Sequence, residues 1–144
     1  MSDYRHILIA LDFAQARTSV LERALSLAGE STQLSLIHVV EMIIHPDAGT
    51  YSVPTELLKE SIAHAKQTIK KIGDQYHIAP ERQFVQSGRA AAKIHDVAKA
   101  NNVDLIVVGS HGRHGVQLLL GSTANAVLHG AHCDVLAVRI GKAK

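Results

Sequence analysis

Two short stretches carry residue types that can hold an anion. Gly109-Ser110-His111-Gly112 follows an apolar run, and eight residues separate Gly112 from Gly121-Ser122-Thr123. Glycines let backbone amides approach a charged group closely. A helix that begins at Gly121-Ser122-Thr123 would add unpaired N–H groups and about half a positive charge, which suits phosphate. Ser122 and Thr123 can donate from their hydroxyls, and Arg113 can bring positive charge from the intervening loop. Asp12, at the end of the first apolar run, can accept hydrogen bonds from a ribose. The same residues have a plainer reading, because glycine after a strand and Gly-Ser before a helix are ordinary turn and cap chemistry. No Gly-Lys-Ser/Thr follows the glycines, so this is not a P-loop. The Gly-x-x-Gly spacing and its place late in the chain also exclude the Rossmann fingerprint.

Other reactive types form no comparable set. His111/His114 and His129/His132 are His-x-x-His pairs, and Cys133 adjoins the second. A zinc site needs about four converging ligands. Nothing in the spacing joins the two pairs, so no metal ligands are assigned. Cys133 reads as a small buried hydrophobe. His38 reads as a core histidine with a satisfied ring, with the cleft as its other destination. There is no Gly-x-Ser-x-Gly and no partner that marks Asp12 as a base, so no catalytic residue is assigned.

The elements that must position these residues are legible from periodicity. Ile7-Leu8-Ile9-Ala10-Leu11 is apolar without alternation, as in a strand buried on both faces of a parallel sheet. Val20, Leu21, Ala24, Leu25, Leu27 and Ala28 then fall at helical spacing between Arg17 and Ala28, and Gly29 terminates that helix. Gln33 to Val40 is a second strand. Glu41 to Val53, with Pro46 and Gly49, reads as a lid-like loop. A long helix opens at Pro54-Thr55-Glu56 and runs to Ile72, with Gly73 as its stop. Gln83 to Gln86 is a short strand, Ala90 to Ala100 a helix stopped by Asn101-Asn102, and Asp104 to Gly109 a buried strand. A helix from Ser122 to about Gly130 and a strand from Val135 to Ile140 complete the order β-α-β-α-β-α-β-α-β. That is one doubly wound α/β domain of about five parallel strands, spanning 1–144. Ligands of such sheets sit at the carboxyl ends of the strands, where the winding reverses.

Composition excludes several classes. The 144 residues hold 15 Lys+Arg against 13 Asp+Glu, a formal charge of +2. With 47% hydrophobic and 19% charged residues the chain is neither disordered nor a solvated tail. Near-neutral charge argues against a dedicated nucleic-acid binder, and 3% aromatics leaves few stacking platforms. No apolar run approaches the ~18 residues of a membrane span. A single cysteine and the lack of a secretory leader point to the cytoplasm.

From end to end the chain resembles the universal stress proteins of the UspA type. The likeness rests on His6-Ile7-Leu8-Ile9-Ala10-Leu11-Asp12, on Leu36-Ile37-His38-Val39-Val40, and above all on Asp104 to Thr123. In that block Val108-Gly109-Ser110-His111-Gly112-Arg113 and Gly121-Ser122 stand out. The resemblance implies a five-stranded parallel sheet of order 3-2-1-4-5 with helices on both faces. It implies ATP, with Mg²⁺, held by Ala10, Asp12 and Val39 on one side and Val108 and Gly109 on the other. Gly109, Gly112, Gly121, Ser122 and Thr123 would form the phosphate loop. The family loop runs Gly-x2-Gly-x9-Gly-Ser/Thr, whereas here eight residues separate the last two glycines. One residue fewer either shortens the connection harmlessly, since backbone donors do the binding, or rotates the loop out of use. Any catalysis would be slow ATP hydrolysis at most. The resemblance also implies a homodimer paired through the final strand, whose apolar edge would otherwise be an aggregation hazard. The leading expectation is therefore a dimeric nucleotide-binding regulatory protein with a protein partner. The alternatives are a nucleotide-free interaction module and, more remotely, a metal-stress responder.

Overall fold

The computed structural model describes residues 4–13, 17–41, 55–110 and 121–139. The strands are β1 (His6–Ala10), β2 (Gln33–Val40), β3 (Gln83–Ser87), β4 (Leu105–Gly109) and β5 (Asp134–Val138). The helices are α1 (Arg17–Leu27), α2 (Thr55–Tyr76), α3 (Ala90–Ala100) and α4 (Ser122–Gly130). All strand pairs are parallel, in the order β3-β2-β1-β4-β5. The 3-2-1-4-5 sheet implied by the resemblance is the one that forms.

Strand alternation explains why the apolar runs are unbroken. Ile7 and Ile9 of β1, Leu36 of β2, and Leu105 and Val107 of β4 join Val20, Leu21 and Ala24 of α1 and Ile69 and Ile72 of α2 in one core. Leu8, Ile37, Ile106 and Val108 point the other way. They join Ile94, Val97 and Ala98 of α3 with Ala124 and Val127 of α4. Ile7, Leu8 and Ile9 retain no exposed surface. Burial of each such side chain is worth roughly 1.5–3 kcal/mol, so a polar residue in the run would cost the whole layer.

The end of the sheet away from the strand C-termini is fixed by polar bonds. Asp104 accepts hydrogen bonds from the amides of Arg5 and His6, both at 2.9 Å, and its own N–H donates to the His6 carbonyl. Asp104 thus ties the starts of β1 and β4 together, one residue before the ladder begins. The buried His6 ring donates from Nδ1 to the Asn101 carbonyl at 3.0 Å, and its Nε2 lies 2.6 Å from Ser35 Oγ. Two buried polar side chains are satisfied at once.

The elements differ from expectation mainly at one boundary. Gly73 does not stop α2, which continues to Tyr76. Gly73 is buried within the helix, where a Cβ would overlap the Gln83 side chain. The stop comes at His77, whose φ of 58° is left-handed, with the Ile78 amide donating back to the Gly73 carbonyl at 2.8 Å. α1 ends at Leu27, before Gly29. β5 spans Asp134–Val138, and Ile140 lies outside the described residues. The opening at Pro54 and the loop over 42–53 lie outside them too.

Candidate functional site

The chain crosses from β1 to β2 to β3 through α1 and α2 on one face, and from β3 to β4 to β5 through α3 and α4 on the other. β1 and β4 are therefore neighbours whose connections leave on opposite sides, the switch point beside which ligands of such sheets bind. Ala10 closes β1 and Gly109 closes β4, both half-buried. Asp12 stands exposed two residues past β1.

The face on which the remaining groups lie is informative. Val108 belongs to the core under α3 and α4, and Ala10 and Val39 pack against that same core. α4 rests on this core as well, with Gly121 as its N-cap. The three small apolar side chains implied by the resemblance and the positive end of α4 thus share one side of the sheet.

Backbone bonds pin the flanks of the glycine loop. Ser110 donates its amide to the Val138 carbonyl at 2.7 Å and accepts the Gly121 amide at 2.6 Å. The two ends of the loop are thereby held together, whatever its length. Gly121 has φ −61° and ψ 156°, a conformation open to any residue, so backbone strain does not explain the glycine. Serine or aspartate would cap the helix better. Instead the position lacks a capping side chain, and the Asn125 amide makes the first helical bond to the Gly121 carbonyl at 3.0 Å. Ser122 is exposed and Thr123 half-buried in the first turn. Ser110 is 8% exposed, and its Oγ has no hydrogen-bond partner among the described residues.

Ala10, Asp12, Val39, Val108, Gly109, Gly121, Ser122 and Thr123 are thus all placed at the strand C-terminal end or at the start of α4. Gly112 and Arg113 lie outside the described residues, as do His111 and His114. His129 and His132 are exposed at the far end of α4. Among the described residues no three His, Cys, Asp or Glu side chains converge. Cys133 is half-buried. Burial, then the charges of Asp134 and Asp104, push its thiol above the ordinary range, which disfavours the reactive thiolate.

Two features at the site were not legible as such. The buried Ser110 hydroxyl was read only as part of a loop. His38 was read as a core histidine, and its ring is indeed satisfied, at 2.8 Å from the Leu11 carbonyl. The ring also stacks on Phe13, with centroids 3.8 Å apart and planes 15° from parallel. Only a pairing of aromatic with histidine across two strands-worth of sequence could have signalled it.

The model of the universal stress protein family matches residues 3–139. The chain belongs to that family. Universal stress protein A homolog 2 of Coxiella burnetii is 46% identical over 144 aligned positions, covering 97% of this chain and 98% of that protein. Among solved structures, MJ0577 superposes with a TM-score of 0.81 at 22% identity, covering 97% of this chain and 99% of the other. A universal stress protein solved in complex with cAMP superposes at 0.67 with 20% identity, covering 97% and 100%. These two likenesses establish the shared fold. As to membranes, no helix among the described residues is long and apolar enough to cross one.

Proposed function

We propose that this universal stress protein binds a nucleotide, ATP with Mg²⁺, in the crevice between β1 and β4, and acts as a dimeric regulatory module in the cytoplasm. The observation that carries the reading is the common face of Ala10, Val39, Val108 and the glycine-capped start of α4. An apolar shelf accepts a base, and a helix N-terminus without a capping side chain accepts phosphate.

The residues fit the ligand in two further respects. A buried hydroxyl with no described partner, Ser110 Oγ, stands at the base of the phosphate loop, where it can donate to an anion. Gly121 keeps the approach to the α4 amides open at a position whose backbone does not require glycine. Asp12 would accept from the ribose, and Ser122 and Thr123 would donate to phosphate oxygens. Gly109, Gly112 and Arg113 would complete the cradle. Mg²⁺ would arrive with the phosphates and neutralise part of their charge. The cAMP complex of a protein with this fold supports a nucleotide as the ligand class.

Pairing through β5 would complete the module. β5 lies at one edge of the sheet and β3 at the other. β3 is polar at Gln83, Gln86 and Ser87, whereas β5 carries Val135, Leu136, Ala137 and Val138. An apolar edge is the one that needs covering.

The test is Gly121→Leu. Its φ and ψ accept leucine, so the fold and Tm should persist while the side chain blocks the α4 amides. Calorimetric titration should show ATP affinity falling at least ~100-fold, the scale of losing charge-assisted bonds. Unchanged affinity in a folded variant would remove the phosphate assignment.

A further inference from the structure

We propose that His38 is a positioning residue for the nucleotide site, clamping the backbone on both sides of Asp12. The inference rests on the nucleotide reading above and adds a residue that reading does not use.

Asp12 sits where the chain leaves the sheet. The Leu11 amide, just past β1, donates to the Ile37 carbonyl at 2.9 Å. Beyond it neither Asp12 nor Phe13 is in a strand, so something other than the ladder must set the direction of the Asp12 side chain. His38, next to Ile37 on β2, does this from two points. Its Nδ1 lies 2.8 Å from the Leu11 carbonyl. A carbonyl only accepts, so Nδ1 carries the proton and donates. The Leu11 carbonyl and the Asp12 amide share one rigid peptide plane, so this bond fixes the plane from which the Asp12 Cα departs. On the other side, the imidazole stacks on Phe13, centroids 3.8 Å apart. Phe13 in turn packs against the core beneath α1 and α2. One ring thus holds the residue before Asp12 by a hydrogen bond and the residue after it by stacking.

A clamp that serves only stability would weaken every ligand equally or none. A clamp that aims Asp12 weakens only ligands that use Asp12, which in this reading means those with ribose hydroxyls. The experiment is calorimetric titration of the wild type, His38→Asn and His38→Phe with ATP-Mg²⁺ and with 2′,3′-dideoxy-ATP-Mg²⁺. His38→Asn keeps a side-chain N–H near the Nδ1 position, and His38→Phe keeps the ring without the donor. The expected result is a roughly tenfold loss of ATP affinity in His38→Phe, the scale of one net hydrogen bond. Affinity for the dideoxy analogue should be unchanged, and His38→Asn, which keeps the donor but gives up the stacked ring, should recover part of the loss for ATP. Wild-type ATP affinity in His38→Phe, or equal losses for both nucleotides, overturns the proposal. If His38→Phe does not fold, Phe13→Leu removes the stacking contact instead. A loss confined to ATP supports the clamp, and equal or absent losses overturn it. A wild type that binds neither nucleotide overturns the nucleotide reading together with the clamp, whereas wild-type binding with unaffected variants overturns the clamp alone.

Discussion

Ser110 is the side chain that bears most directly on the proposed ligand. A buried hydroxyl left without a partner costs about 1–3 kcal/mol, and native proteins seldom keep one without a use. The described residues around Ser110 Oγ offer it none, while its backbone amide and carbonyl are both bonded. Ser110→Ala should therefore leave Tm unchanged or raise it slightly. It should weaken ATP binding about tenfold or more, because a hydrogen bond to a charged group is worth ~1.5–3 kcal/mol. Thermal melts and calorimetry on the same samples separate the two effects. A lowered Tm with unchanged affinity would instead assign the hydroxyl to folding. The composition of the loop pointed to Ser110 only as a neighbour of glycines, since an orphaned hydroxyl is a property of burial and spacing in three dimensions. Asp12, Gly109 and Gly121 were legible because strand ends and helix starts leave a mark on sequence.

At the scale of elements, the site depends on how α4 is seated. His95 of α3 bonds through Nε2 to the Val127 carbonyl of α4 at 2.8 Å. A Cβ at Gly130 would overlap that same imidazole. Gly130 thus permits the close approach of α3 and α4. Gly130→Ala should lower stability by roughly 1–3 kcal/mol, the usual cost of overpacking, and Tm by several degrees. Since the nearest atoms are all of His95, His95→Ala should restore part of the loss in the double variant, a non-additivity that denaturation of the four proteins measures. Gly73 teaches the same lesson from the other side. A glycine after an amphipathic run reads as a helix stop, but α2 runs through it because Gln83 needs the room. Sequence does not distinguish a glycine that ends a helix from one that admits a neighbour. The strands are another matter, because unbroken apolar runs have one physical solution, burial on both faces of a parallel sheet. Asp104 counted as strand by its place before Leu105, yet its carboxylate caps β1 instead, a bond between residues 98 and 99 positions apart in sequence.

For the whole molecule, the asymmetry between the two sheet edges is what supports the proposed dimer. Ala137 is exposed on β5, and lysine on an edge strand opposes pairing at little cost to the monomer. Ala137→Lys should convert a dimer to a monomer in sedimentation, and an unchanged dimer would place the interface elsewhere. The alternation of strand and helix was legible from the apolar runs and helical patterns, and the 3-2-1-4-5 order through the family resemblance. What the eight-residue spacing between Gly112 and Gly121 does to the cradle was not, since a loop's path is set by its ends. Those ends are now known to be joined through Ser110 and Gly121. The most direct measurement is calorimetric titration of nucleotide-stripped protein with ATP-Mg²⁺, alongside a search for nucleotide released when the purified protein is denatured. Micromolar binding at one site per chain is the predicted result. No heat and no released nucleotide would contradict it, leaving the glycines as turn and cap residues of an interaction module.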